Sequence, residues 1–336
     1  MNKIAKTVLM TGTALCAAGV VLSTAGYFAG GKDFTYTSDH MYVSGGNSSS
    51  RKNLVVMKKE QIDDFTKLNV DFEDFDLDIR ISDDDHYYME YKLEKNGRKN
   101  PLTWKDKDGE LTLEESAGGS GSYYITYDLG IFSTHADLTE KKDALNTVIL
   151  YIPEKAQLSE AELQLSDGDL TADQLLCKEM TLELLNGDLM LDKGEFEKFD
   201  AKLSDGDLNV KELQCTDNMQ LKSGNGDVTI KKAELADGQI ALSDGDLQID
   251  NGSFNGDMKI NSSCGDVSVE MKNGSVEKTN IYLKAADGDV DTEGLSRGKS
   301  DNEEDTSVYE NKAGASAPTL NVECSDGDIT LTESEK

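Results

Sequence analysis

Eight stretches of the chain repeat one pattern: LQLSDGDLTA (163–172), LELLNGDLML (182–191), AKLSDGDLNV (201–210), LKSGNGDVTI (221–230), IALSDGDLQI (240–249), INSSCGDVSV (260–269), LKAADGDVDT (283–292) and VECSDGDITL (322–331). Their central glycines are Gly168, Gly187, Gly206, Gly226, Gly245, Gly265, Gly288 and Gly327, separated by 19, 19, 20, 19, 20, 23 and 39 residues. A fixed period near 20 marks a repeat architecture, in which one unit cannot bury its apolar face but a stack can. Aligned on their glycines, the units form columns. Two residues after each glycine stand Leu170, Leu189, Leu208, Val228, Leu247, Val267, Val290 and Ile329. Five before stand Leu163, Leu182, Ala201, Leu221, Ile240, Ile260, Leu283 and Val322. Nine after, in the first five units, stand Cys177, Phe196, Cys215, Leu235 and Phe254. These read as inward columns. Short β runs broken by glycine turns predict an all-β chain, each unit one coil of a parallel β-solenoid; a series of separate hairpins is the alternative.

The columns also decide the cysteines. Cys177 and Cys215 fall inside, two coils apart, roughly 9–10 Å at the spacing of neighbouring strands. A disulfide needs Cα atoms within about 7 Å. Cys324, three before its glycine, falls in another inward column. The long last step holds SRGKSDNEEDTSVYENKAGASAP (296–318), a polar stretch that reads as a loop insertion or a decayed repeat.

Outward from the repeat domain (160–332), a block over 54–159 is also β-rich. Leu68, Val70, Phe72, then Phe75, Leu77, Ile79 and Ile81 alternate at the strand period. HYYMEYKLEKN (86–96) continues the alternation, and Lys107-Asp108-Gly109-Glu110 is a hairpin turn signal. Tyr123–Tyr127 and Thr147–Ile152 read as further strands, closed by Pro153. This block is expected to cover one end of the stack. The tail TESEK (332–336) must blunt the other or leave it open to pairing.

Residues 33–53 are polar and rich in Ser and Gly, a flexible tether. Before them, residues 7–31 run without a charge behind Lys3 and Lys6, within a signal segment over 1–32. Roughly 20 apolar residues cross a bilayer, and leading lysines keep the amino terminus cytoplasmic. The expectation is a single-pass membrane anchor through 7–31 with the rest extracytoplasmic. The alternative is secretion after cleavage near Ser23-Thr24-Ala25. Leu15 before Cys16 argues against lipidation.

Composition narrows function. Lys and Arg number 34 against 65 Asp and Glu, a net charge of −31. Such a surface repels nucleic acid, whose binding depends on neutralising phosphates, and repels anionic polymers unless a cation bridges them. Three histidines, His40, His86 and His135, are scattered outside the repeats, and residues 160–296 hold no Arg or His. Some β-solenoids cleave acidic glycans, but such sites need cationic and acid–base groups; the chain reads as a non-enzyme.

One column carries chemistry. After every glycine stands an aspartate: Asp169, Asp188, Asp207, Asp227, Asp246, Asp266, Asp289 and Asp328. Before them stand Asp167, Asn186, Asp205, Asn225, Asp244, Cys264, Asp287 and Asp326. The plain reading is turn chemistry, with Gly supplying positive φ and Asp or Asn bonding its own local backbone. The sharper one is Ca²⁺, since stacked carboxylates ~4.8 Å apart repel and extracellular calcium sites take 6–8 oxygens. Asp167, Asp169, Asp188, Asp205, Asp207, Asp227, Asp244 and Asp246 are the candidate ligands, and Ca²⁺ the one candidate cofactor. The spacing matches neither an EF-hand nor a nine-residue calcium repeat.

On these residues the chain resembles a family of β-strand-repeat envelope proteins of Gram-positive bacteria, a domain of unknown function named as "putative adhesin". The resemblance covers about 60–332 and rests on F-x-K-L-x-V from Phe65 to Val70, VILYIPEKA (148–156) and the serial S-x-G-D-[LVI] units. It implies a membrane-anchored or secreted protein with a solenoid-like sheet domain. It carries over no catalytic residue. The function expected is a binding or scaffold module at the cell envelope, its partner a surface or envelope component, protein or glycan. The alternative is an extracytoplasmic part of envelope-stress sensing, acting through a membrane partner because six residues precede the apolar run.

Overall fold

The computed structural model describes residues 34–36, 41–43, 54–117, 145–292, 294–295, 298–303 and 306–335. The expected anchor 7–31, His40, the strand Tyr123–Tyr127 and His135 lie outside them. The chain divides into two compact units. In the first, Met1–Leu54 with Gly118–Lys141, the described part is an antiparallel pair, Phe34–Tyr36 with Met41–Val43. The second, Val55–Ala117 with Lys142–Lys336, is the repeat stack and its ends.

Each repeat is one coil of a parallel β-solenoid. The residues before the glycine form the first wall, those after it the second, and a short third wall leads into the next coil. Along the first wall, Leu163 pairs with Leu182, Leu182 with Ala201, Ala201 with Leu221, Leu221 with Ile240 and Ile240 with Ile260. Along the second, Leu170, Leu189, Leu208, Val228, Leu247 and Val267 are in register. Along the third, Cys177, Phe196, Cys215 and Leu235 line up. The inward columns are buried throughout, apart from Val290, which is half-buried on the short last strand. Each fully buried Leu, Ile or Val contributes about 1.5–3 kcal/mol, and neighbouring coils share that gain. Cys177, Cys215 and Cys324 are buried, free thiols that pack; burial pushes the Cys177 thiol up to about 12.

The 20-residue coils absorb their extra residue at one corner. The pairing slips by one residue between Phe196 and Lys198 against Cys215 and Asn218, where the third wall turns into the first. In the next 20-residue coil, Asn255–Asp257 takes up the extra residue at the same corner, between Phe254 and Met258. Register on the two longer walls is untouched.

The upstream block extends the same walls. Lys67–Phe72 pairs parallel with Glu160–Leu165 on one side and with Glu110–Glu115 on the other. That last strand closes in an antiparallel hairpin with Leu102–Lys107, turned at Asp108 and Gly109 with φ of 57° and 78°. Asp76–Ser82 pairs with Leu170–Ala172 and with Thr147–Pro153, which Tyr88–Glu94 borders antiparallel.

The far end departs from chain order. The last coil, Thr319–Glu333, is seated between Met258–Met271 and the coil Asn280–Asp291. The stack therefore runs Gly245, Gly265, Gly327, Gly288. The stretch 296–318 is neither a bare loop nor a decayed coil. It carries a hairpin, Lys299–Glu303 with Thr306–Asn311, whose second strand pairs antiparallel with Ile281–Ala285. This hairpin, rather than the tail, covers the edge of the first wall.

Candidate functional site

The predicted site is the aspartate column, and the structure gives its side chains a definite task. In each coil but the outermost, Asp Oδ1 accepts the backbone N–H of the equivalent Asp one layer on. The bonds run Asp188 N–H to Asp169 (2.9 Å), Asp207 to Asp188 (2.8 Å), Asp227 to Asp207 (2.9 Å), Asp246 to Asp227 (2.9 Å) and Asp266 to Asp246 (2.8 Å). They continue through Asp328 to Asp266 and Asp289 to Asp328, both 2.8 Å, following the spatial order of the coils. Asp76, upstream of the repeats, starts the ladder by accepting from Asp169 (3.0 Å). The turn chemistry thus works between coils, where the sequence reading expects it within one. Each N–H at the turn gains a charged acceptor, which offsets like-charge repulsion along the column.

The glycines follow the same logic. A Cβ on Gly187 would stand 2.3 Å from the carbonyl oxygen of Gly168, and one on Gly206 2.2 Å from that of Gly187. Gly206 has φ of 129°, whereas Gly187 lies outside the left-handed region. Close approach of the neighbouring coil is what the column shares; positive φ is not.

The column before the glycines alternates Asp and Asn over its first five coils, then continues Cys264, Asp326 and Asp287. The Asn186 amide donates to Asp167 and the Asn225 amide to Asp205, each at 2.6 Å. A neutral donor between two carboxylates relieves much of the repulsion that an all-aspartate column would carry. Among the described residues no group of three or more His, Cys, Asp or Glu is placed to hold a metal ion.

The two outward faces differ in pattern. The first wall is laced with ion pairs between coils: Lys198 with Glu179 (2.9 Å), Lys202 with Glu183 (2.6 Å) and Lys67 with Glu160 (2.6 Å). On the second wall the residue three after the glycine points outward, between the ladder aspartate and a residue five after the glycine that is charged in most coils (Asp173, Asp192, Lys211, Lys231). In stack order the residues three after the glycine are Thr171, Met190, Asn209, Thr229, Gln248, Ser268 and Thr330. All seven are uncharged, and the stripe ends at Asp78 on one side and Asp291 on the other. Sequence reasoning missed this stripe, although the same alignment of glycines contains it one position beyond the aliphatic column.

At the upstream end of that face an aromatic and cationic group gathers. Arg80, Tyr151 and Tyr88 are in register on three strands. Lys59 Nζ stands 3.8 Å from the Tyr151 ring centre and 5.0 Å from that of Tyr88. The Tyr151 hydroxyl donates to Glu90 at 2.6 Å; burial first, then this carboxylate, raises its pKa. His86, the one histidine among the described residues, donates its backbone N–H to Asp84 at 2.9 Å. Below the first coil, Arg98 is buried and paired with Glu115 at 2.7 Å. Glu115 in turn accepts the N–H groups of Glu73 and Asp74.

The solved structures to which the chain is similar share little sequence with it. A "putative cell adhesion protein" from Clostridium sporogenes is 16% identical, covering 82% of this chain and 98% of its own, with a TM-score of 0.24. A "putative adhesin" from Parabacteroides distasonis is 16% identical over 84% and 97%, TM-score 0.42. A "putative lipid binding protein" from the same organism is 12% identical over 86% and 98%, TM-score 0.41. No curated protein matches the chain. The Toastrack DUF4097 sequence model, however, matches residues 65–332, the whole of the stack with its upstream end. The chain belongs to the Toastrack DUF4097 family.

Proposed function

We propose that the protein is a non-enzymatic binding or scaffold module of the cell envelope, exported and tethered through residues 7–31. The observation that carries this reading is the seven-coil column from Thr171 to Thr330, an uncharged line running beside the aspartate ladder on a chain of net charge −31. Its hydroxyl and amide groups recur at about the strand spacing of 4.8 Å, on a rigid support that needs no ordering on contact. Such a column suits an extended surface component, protein or glycan, approached without crossing the charged first wall.

The test uses cells that display the full chain. They are compared with cells displaying Asn209→Asp/Thr229→Asp/Gln248→Asp for adherence to immobilised cell-wall polysaccharide and to a protein-coated surface. Loss of adherence in the variant supports the proposal. Equal adherence of the two overturns it, as does full-chain adherence no greater than that of cells lacking the protein.

A further inference from the structure

The coil out of chain order is held by a specific set of contacts, and an equivalent coil stands beside it. Asn280–Asp291 carries most of the features that seat a coil on Met258–Met271, although Thr292 follows where the seated coil has buried Leu331. It has Ile281 and Leu283 for the first wall, Gly288 for the close approach, Asp289 for the ladder and Val290 for the second wall. In chain order it would take that seat. The seat instead holds Thr319–Glu333, with Val322 on Ile260 and Ile329 on Val267 in the same register. Repeats that present the same pattern at the same register do not by themselves encode their order.

Two asparagines encode it. The Asn280 amide donates to the carbonyls of Gly314 (2.9 Å) and Ala317 (3.0 Å), and its oxygen accepts the N–H groups of Ala313 (3.0 Å) and Gly314 (3.2 Å). It thereby fixes the segment that leads into the last coil. Asn311 is buried and donates to the carbonyls of Val276 (2.9 Å) and Thr279 (3.0 Å), fixing the closing hairpin to the link before Asn280. Asn280 holds the segment that enters the inserted coil, and Asn311 holds the link 276–279, which leads past the inserted layer to the outermost coil.

We propose that the coil Thr319–Glu333 is a removable wedge. When it leaves, Asn280–Asp291 drops one layer onto Met258–Met271, and Asn280 and Asn311 are the latches that oppose the change. On each long wall, withdrawal breaks the wedge's two parallel pairings and the drop re-forms one of them. The two arrangements exchange one seat between two coils of the same protein.

Disulfide trapping in the full chain distinguishes them. Asn261, Glu323 and Lys284 lie in register on the outward side of three successive first-wall strands. Neighbouring strands stand ~4.8 Å apart, inside the range for a disulfide, while strands two layers apart do not. In a background with Cys16 and Cys264 replaced by serine, Asn261→Cys/Glu323→Cys closes only in the inserted order. Asn261→Cys/Lys284→Cys closes within one chain only when the wedge is out. Under copper–phenanthroline, the first pair is expected to close fast and almost fully, which also shows that each background is folded. The second is expected to close slowly, and at least ~10-fold faster with Asn280→Ala or, separately, Asn311→Ala. The idea is overturned if the 261–284 pair stays open in every background where 261–323 closes. A 261–284 rate that neither latch variant changes also overturns it.

Discussion

The interior of the stack and its upstream end solve the same seating problem with different residues. In the interior every coil places a glycine against the carbonyl of the coil before it, so close that a Cβ on Gly226 would stand 2.2 Å from the Gly206 oxygen. In the upstream coil that position is Phe75, which is fully buried, 5.9 Å from the Phe72 ring and 5.3 Å from the Arg98 guanidinium. Phe75 can carry a side chain because the layer beneath it is Arg98 and Glu115, not another turn. Asp76 nevertheless keeps the aspartate role. The difference teaches that glycine answers to a neighbour beneath, whereas aspartate answers to a backbone N–H above.

The sharpest break in that comparison is a methyl group. Gly226→Ala drives a Cβ into backbone, and the expected loss is at least about 4 kcal/mol or failure to fold, in the range reserved for severe steric or core damage. Phe75→Leu is expected to lose only about 1 kcal/mol, as a near volume-conserving swap; urea unfolding of the two variants reads the contrast. Next is the buried pair that stands in for a coil. Arg98→Ala leaves Glu115 buried without its cation and is expected to cost about 3–5 kcal/mol, with Arg98→Ala/Glu115→Gln recovering part of it. A smaller effect separates acceptor from charge. Asp207→Ala removes the acceptor of the Asp227 N–H and is expected to cost about 1 kcal/mol, whereas Asp207→Asn keeps an acceptor and should lie within about 0.5 kcal/mol of wild type.

The pH response of the first rung sharpens the comparison further. Burial raises the Asp76 carboxyl above its ordinary value, against the opposing N–H bond from Asp169. A group raised in the folded state adds stability below its unfolded pKa and loses it as pH rises through the folded value. Asp76→Asn should therefore gain on wild type as pH rises through that window and differ little below it, read from unfolding midpoints across pH. The smallest expected effect concerns cations. With Oδ1 of every ladder aspartate but the outermost already bonded, millimolar Ca²⁺ should move the thermal midpoint no more than Mg²⁺ does. A saturable, calcium-specific rise would instead make the column a binding site.

Much of this was legible from particular residues. The aliphatic columns two after and five before the glycines dictate period, inward face and parallel stacking, and Lys107–Glu110 announces its hairpin. The order of the last coils was not legible, because LKAADGDVDT and VECSDGDITL offer the seat nearly the same groups and differ in the inward columns chiefly at Thr292 against Leu331. What also separates them are two asparagines outside the repeat, Asn280 and Asn311, whose partners are backbone atoms. The ladder was half legible. Asp after Gly signals a turn, but a side chain reaching the next coil is a contact across 19–20 residues that no local pattern records. The stripe from Thr171 to Thr330 was hidden for the opposite reason: its residues vary in type and share only the lack of charge.

The corner that absorbs the extra residue of the 20-residue coils has a consequence for engineering. Length varies there while both long walls keep their register. A foreign peptide spliced between Thr216 and Asp217 would project from a single edge of the molecule. Repeating the splice at Asn255 would place a second copy two layers further along that edge, roughly 9–10 Å away. The chain is in that sense a ruler with built-in attachment points, on which displayed epitopes could be spaced in steps of one coil.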